Sequence, residues 1–251
     1  LKEQLFMQQA LLLNIYYDYG GSVSTRFLER IPTYVQGLDE VLNGGIIKES
    51  ILLIAGGSGT GKTVLASQIA YFNALHSKNV IYVSFDEGLK LKDYLKGFGW
   101  NLDKLIEERK FKLLDLVAPT ETLAKDIITF IAHEIREFNA KLLVLDSLTT
   151  LLLNTPELAK ARSLVDVLRK IKPPGVTVIA TANVFYGTRR IGTGVEEVIA
   201  DTIILLKRFI HKGELRTKMY VLKMRGSAHS RRAHELVFTN IGVKVIPLMP
   251  A

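Results

Sequence analysis

The stretch ILLIAGGSGTGKTVLASQIA, Ile51 to Ala70, constrains this chain more than any other. Ile51 to Ala55 is an apolar run that reads as a buried strand, a glycine-rich turn follows, and an apolar-periodic helix begins near Lys62. The turn Gly56-Gly57-Ser58-Gly59-Thr60-Gly61-Lys62-Thr63 fits the pattern G-x-x-x-x-G-K-[ST]. Its glycines allow positive φ and let backbone N–H groups close around phosphate oxygens. The helix opening at Lys62-Thr63-Val64 turns the positive end of its dipole toward the same anion. Lys62 is placed to reach the β- and γ-phosphates as a point charge, and the Thr63 hydroxyl to ligate Mg²⁺. Gly56 through Val64 are therefore the candidate nucleotide-binding residues. The competing reading, a glycine turn without a ligand, does not require strand, loop and helix in this order.

The rest of the chain repeats strand and helix around that stretch. Asn79–Phe85, Phe111–Leu116, Lys141–Asp146 and Val176–Ala182 read as further strands. Leu89–Phe98, Leu102–Arg109, Thr120–Phe138 and a segment opening at Thr155-Pro156 read as helices. Gly37–Leu42 reads as a short helix closed by Asn43-Gly44-Gly45. Asp201–Phe209 with Arg216–Met224, and Leu236–Phe238 with Val243–Ile246, read as two C-terminal hairpins. This alternation predicts an α/β fold: a mostly parallel, twisted sheet flanked by helices and extended by antiparallel C-terminal hairpins. Residues 1–29 are less legible; Ala10–Tyr17 reads as part of a short apolar helix and Gly20-Gly21-Ser22 as a linker. No internal repeat is visible, so residues 30–251 form one nucleotide-binding domain.

Composition narrows the partners. The chain lacks cysteine, which excludes disulfides and thiolate zinc sites and fits a reducing cytoplasm. No apolar run approaches the ~20 residues of a membrane-spanning helix. The net charge of +8 is local: Thr202 to His234 holds nine basic residues and one acid, Glu214, and the remainder is neutral. Such a surface calls for phosphates, an acidic partner or plain solvation.

Ligands of parallel sheets sit at the carboxyl ends of strands. Polar groups at those ends are the phosphate loop, Asp86-Glu87, Asp146-Ser147 and Asn183. Asp146, after four apolar residues, is the second candidate for ordering Mg²⁺; a helix-capping role is its alternative. Asp86 and Glu87 supply a candidate general base, or merely open a helix that favours acids. Asn183 is placed to sense a γ-phosphate, or is a turn residue.

Taken together, these residues resemble the RecA-like P-loop ATPases of the KaiC group, and the resemblance spans Arg30 to Leu248. It is carried by GLDEVLNGG (Gly37–Gly45), GGSGTGKT, YVSFDEG (Tyr82–Gly88), GFGWNLDKL (Gly97–Leu105), LLVLDS (Leu142–Ser147), GVEEVIADTIILL (Gly194–Leu206) and LKMRGSAHS (Leu222–Ser230). The resemblance implies ATP and Mg²⁺ as ligands, slow ATP hydrolysis, and nucleotide held between neighbouring subunits of a homo-oligomer, a hexameric ring or a filament. It implies two acids after the second strand in hydrolysis. Here the first is Asp86, where the family usually has Glu, which leaves Glu87 as the preferred base. It further implies that Lys223, Arg225 and His229 reach the γ-phosphate of the adjacent subunit. Recombinase paralogues of the RadA type share this core, so DNA recombination and repair, with single-stranded DNA or a recombinase as partner, is one expected role. A nucleotide-gated signalling or assembly scaffold without DNA binding is the other. On the strand pair, alternation places Lys218, Tyr220 and Leu222 on one side and Met219, Val221 and Lys223 on the other, with Lys223 and Arg225 sharing a side.

Overall fold

Ile51–Gly56 is apolar at every side-chain position because it is buried on both faces. It is the fifth strand, β5, of a computed structural model that describes residues 15–17, 23–25, 28–86, 88–116, 124–153, 172–188 and 190–248. The other strands of its sheet are β6 (Val80–Ser84), β7 (Phe111–Asp115), β8 (Leu142–Asp146), β9 (Thr177–Asn183), β10 (Thr202–His211), β11 (Glu214–Met224), β12 (His234–Thr239) and β13 (Gly242–Pro247). Their spatial order is β7-β6-β8-β9-β5-β10-β11-β12-β13. From β7 to β10 every pairing is parallel, and from β10 to β13 every pairing is antiparallel. The expected mixed architecture with C-terminal hairpins is present. Two short pairs lie outside this sheet: β1 (Ile15–Tyr17) with β2 (Val23–Thr25), and β3 (Arg30–Ile31) with β4 (Ile46–Ile47).

Successive strand residues feed two cores on opposite faces of the sheet. Leu52 and Ile54 join one; Ile51, Leu53 and Ala55 join the other. The first face is covered by α1 (Leu38–Val41), α2 (Lys62–Leu75), α3 (Gly88–Lys96) and α4 (Leu102–Glu107), through residues such as Leu65, Ile69, Leu91, Leu95 and Leu105. Trp100 stacks there on Tyr71 at 5.6 Å between ring centres. The second face is covered by α5 (Ala124–Glu137) and α6 (Leu148–Leu153), through Ile128, Ile131, Ile135, Leu148, Leu151 and Leu152. Val195 and Ile199, flanking and within α7 (Glu196–Ile199), complete it. Gln68 of α2 fastens β13 to this frame: its amide donates to Val243 O at 3.0 Å and accepts from Val243 N at 2.7 Å.

Three expectations change. Ile15–Tyr17 is a strand, not the end of an apolar helix. Its β-branched and aromatic residues favour a pleated pairing with Val23-Ser24-Thr25. The supposed Gly20-Gly21-Ser22 linker falls between the paired strands, outside the described residues. The segment after Asp146 is already helical at Leu148–Leu153; Thr155-Pro156 and Thr120 lie outside the described residues. Finally, Lys223 does not face the same way as Met219 and Val221. The pairing register runs Ile203↔Lys223 and then Ile204↔Val221, so Leu222 is an extra, half-exposed bulge residue. A bulge reverses the alternation beyond it. Met224 therefore joins Met219 and Val221 in the first core, and Lys223 lies on the side of Ile203, a member of the second.

Candidate nucleotide-binding site

The loop after β5 opens at the carboxyl edge of the sheet. Gly59 and Gly61 have φ of +69° and +96°, conformations that L side chains rarely adopt. A Cβ on Gly59 would overlap the Arg208 guanidinium, and one on Gly61 would overlap the Phe238 ring. The glycines are thus required by backbone conformation and by close approach together. Thr60 closes the loop, its hydroxyl donating to Gly57 O at 2.8 Å.

Lys62 is only 8% exposed, and its ammonium donates to Gly57 O at 3.0 Å, curling back over the loop. Burial pulls its pKa below the usual lysine value, while the charge of Asp146 pulls it back up. An under-solvated ammonium held by one neutral carbonyl is a ready donor for an arriving phosphate.

Asp146 shares the face of Leu142 and Val144, the one that α2 covers. Its two carboxylate oxygens accept separate hydroxyls: Tyr82 Oη at 2.7 Å and Thr181 Oγ1 at 2.5 Å. Ser67 of α2 donates in turn to Tyr82 Oη at 3.3 Å. Burial and the Asp146 charge hold the Tyr82 phenol well above its normal pKa, so Tyr82 remains a donor. An ionised carboxylate has about four lone-pair sites. Two are used here to fix its orientation, and the others remain for a hydrated cation. This fits a group that orders Mg²⁺ through water better than it fits a helix cap.

Lys62 and Asp146 line one cleft of about 1100 Å³, ample for a nucleotide. Its walls include Gly57, Ser58, Gly59, Thr60, Lys62 and Thr63 from the loop, together with Asp86, Asp146 and Asn183 from neighbouring strand ends. The structure thus brings together four separately predicted strand ends. Gly56 ends β5 beneath them, and Val64 sits in the first turn of α2. Thr150 Oγ1 donates to Asp86 at 3.4 Å. Glu87 lies outside the described residues.

The sequence reading missed several contributors. Tyr82 and Thr181 are polar residues inside apolar strands, which was the available signal. Lys207 and Arg208 also line the cleft, because β10 continues past its last partner in β5, Gly56, and carries them alongside the loop.

Lys223, Arg225 and His229 do not join this cleft. Lys223 donates to Glu197 O at 3.2 Å; Arg225 donates to Val198 O at 3.3 Å and to Asp201 Oδ1 at 3.2 Å. Asp201 Oδ2 accepts from Ile51 N at 2.9 Å, at the first residue of β5. Arg225 is therefore at the amino edge of the sheet, a full strand length from the loop at the other end. Lys223 and Arg225 thus both donate to carbonyls of α7. His229 Nδ1 is enclosed and has no hydrogen-bond partner among the described residues.

The family model described as "ATPase: KaiC" matches residues 31–249. The chain belongs to this KaiC ATPase family. A UPF0273 protein of Methanocaldococcus jannaschii is 33% identical over 237 residues, covering 88% of this chain and 97% of that protein. The circadian clock oscillator protein KaiC of a Picosynechococcus strain is 30% identical over 235 residues. That match covers 88% of this chain and 45% of the clock protein. Among solved structures, a KaiC-like protein of Pyrococcus horikoshii superposes with a TM-score of 0.78 at 28% identity, covering 88% of this chain and all of that one. The KaiC-family fold and the phosphate-loop cleft thus coincide in one chain. Among the described residues, no helix is long and apolar enough to cross a membrane.

Proposed function

We propose that this chain binds ATP with Mg²⁺ and hydrolyses it slowly, at sites completed by neighbouring subunits of a homo-oligomer. The observation that carries the reading is the convergence of the desolvated Lys62 and the doubly anchored Asp146 on one cleft. When bound, Mg²⁺ supplies charge neutralisation to the β- and γ-phosphoryl oxygens. Lys62 exchanges Gly57 O for phosphate oxygens, and the loop N–H groups wrap the same anion. Thr63 and Asp146 would hold the ion and its water shell. Asn183, at the end of β9, meets the γ-phosphate end of the nucleotide.

One acid of the Asp86-Glu87 pair orients and deprotonates the attacking water, and we assign this to Glu87. Glu87→Gln keeps the side-chain size and removes the basicity. Steady-state ATPase assays should show a fall of roughly 10²-fold with ATP binding retained. If Asp86→Asn gives that loss and Glu87→Gln does not, the base is Asp86.

For the partner we propose single-stranded DNA, in a recombination or repair role. The support is the basic β10–β11 hairpin, where Lys218 Nζ lies 4.2 Å from the Phe209 ring centre, and the exposed Phe185 and Tyr186 at the cleft lip. Filter binding with and without ATP should show retention of the strand that falls steeply with added salt. Absent or salt-insensitive binding rejects the DNA role and leaves a nucleotide-gated assembly scaffold.

A further inference from the structure

We infer that Glu196 and Thr149 are positioning residues that couple this chain's own nucleotide site to the Lys223–Arg225 finger it presents to a neighbour. The inference rests on the proposed action of that finger in a neighbouring site.

Glu196 is 0% exposed, although it sits in a surface-connecting segment. A buried carboxylate needs its oxygens satisfied. Glu196 meets this entirely from two places. Oε2 accepts from Thr193 N at 2.9 Å, Thr193 Oγ1 at 2.9 Å and Val195 N at 3.2 Å. Oε1 accepts from Thr193 N at 3.1 Å and from the Thr149 hydroxyl at 3.2 Å.

The Thr149 hydroxyl has a second contact. It accepts the Asn183 N–H at 3.0 Å. Asn183 ends β9 in the nucleotide cleft, and its carbonyl accepts Gly192 N at 2.7 Å. One hydroxyl therefore stands between the backbone of Asn183, a lining residue of the cleft, and the carboxylate that opens α7.

On its other side, α7 is the seat of the finger. Glu197 O accepts Lys223 Nζ, and Val198 O accepts Arg225 Nη2. The segment joining Asn183 to α7 contains Gly192 and Gly194, with φ of +51° and +89°. These permit a small rotation of α7 without a change in either anchoring strand. A shift of Asn183 on nucleotide binding or phosphate loss is thus passed through Thr149 and Glu196 to α7, whose carbonyls, together with Asp201 just beyond it, hold Lys223 and Arg225. Each subunit's nucleotide state tunes the finger serving the next site. The coupling is contiguous, through hydrogen bonds from Asn183 to Glu196 and through the α7 backbone from Glu196 to the carbonyls that hold Lys223 and Arg225.

The test is a double-mutant cycle on the assembled protein, reading kcat and KM for MgATP. Thr149→Val removes the hydroxyl while keeping the side-chain shape, and Thr149→Ser restores it. Thr149→Val should lower kcat by about tenfold with KM changed little, and Thr149→Ser should recover wild-type turnover. In an Arg225→Ala background, read as the residual single-turnover rate with protein in excess over MgATP, the same Thr149→Val change should have less than a twofold effect, because the residue it acts through is gone. Equal fold losses in both backgrounds would show an independent structural role and overturn the coupling. So would wild-type turnover by Thr149→Val while Arg225→Ala remains impaired. If Arg225→Ala itself turns over as wild type, the finger reading falls, and the coupling with it. Thermal unfolding of each variant, matched to wild type, separates these outcomes from misfolding.

Discussion

Lys62→Ala should abolish measurable ATP turnover and weaken nucleotide binding. The ammonium is the one desolvated cation held against the loop carbonyl among the described cleft residues, and no neighbour is placed to take over its position. Lys207 and Arg208 also line the cleft, but they reach it from β10, and Lys62 alone of the three is bonded to Gly57 O. Charge stabilisation of this kind, removed from a preorganised site, costs up to about 10³-fold in rate. Equilibrium binding of a fluorescent ATP analogue and a phosphate-release assay measure the two effects. Unchanged binding and turnover would remove the nucleotide reading altogether.

Arg225→Ala should have an effect of comparable size by a different route. An arginine supplied in trans to a γ-phosphoryl group is worth ~10³–10⁵ in rate. In its own subunit Arg225 makes a half-exposed ion pair with Asp201, and pairs of that kind stabilise a fold by at most about 1 kcal/mol. Turnover should therefore collapse while urea denaturation barely changes. ATP binding should weaken less than it does in Lys62→Ala, since the phosphate loop remains intact. A variant that loses activity only in proportion to lost stability would instead mark Arg225 as a structural residue.

Much of this arrangement was legible because several strands end where chemistry begins. The apolar run Leu142–Leu145 stops at Asp146, Ile51–Ala55 stops at the glycines, and Val178–Ala182 stops at Asn183. Parallel strands buried on both faces announce themselves as continuous apolar runs, so their polar terminators stand out. Other features carried no such contrast. Leu148–Leu153 is apolar throughout apart from two threonines, and its lack of period hid a helix buried on several sides. The bulge at Leu222 has no glycine to mark it, and the surrounding alternation looks regular; only the register against Ile203 and Ile204 reveals the reversal. Glu196 reads as an ordinary acid opening a helix, because its partners Thr149 and Thr193 are polar residues whose proximity depends on the tertiary fold. Tyr82 and Thr181 were visible as polar interruptions, but their shared target, Asp146, became evident only from the β6-β8-β9 strand order.

The most direct measurement of the central claim, an ATPase site built from two subunits, is a mixing experiment. Lys62→Ala subunits and Arg225→Ala subunits, each with its steady-state turnover collapsed, are combined under conditions in which subunit exchange is verified by fluorescence energy transfer. Some mixed interfaces then join an intact phosphate loop to an intact finger, so ATPase activity should reappear and should peak near equal proportions. Mixed oligomers that have exchanged subunits and stay inactive at every ratio would contradict the claim.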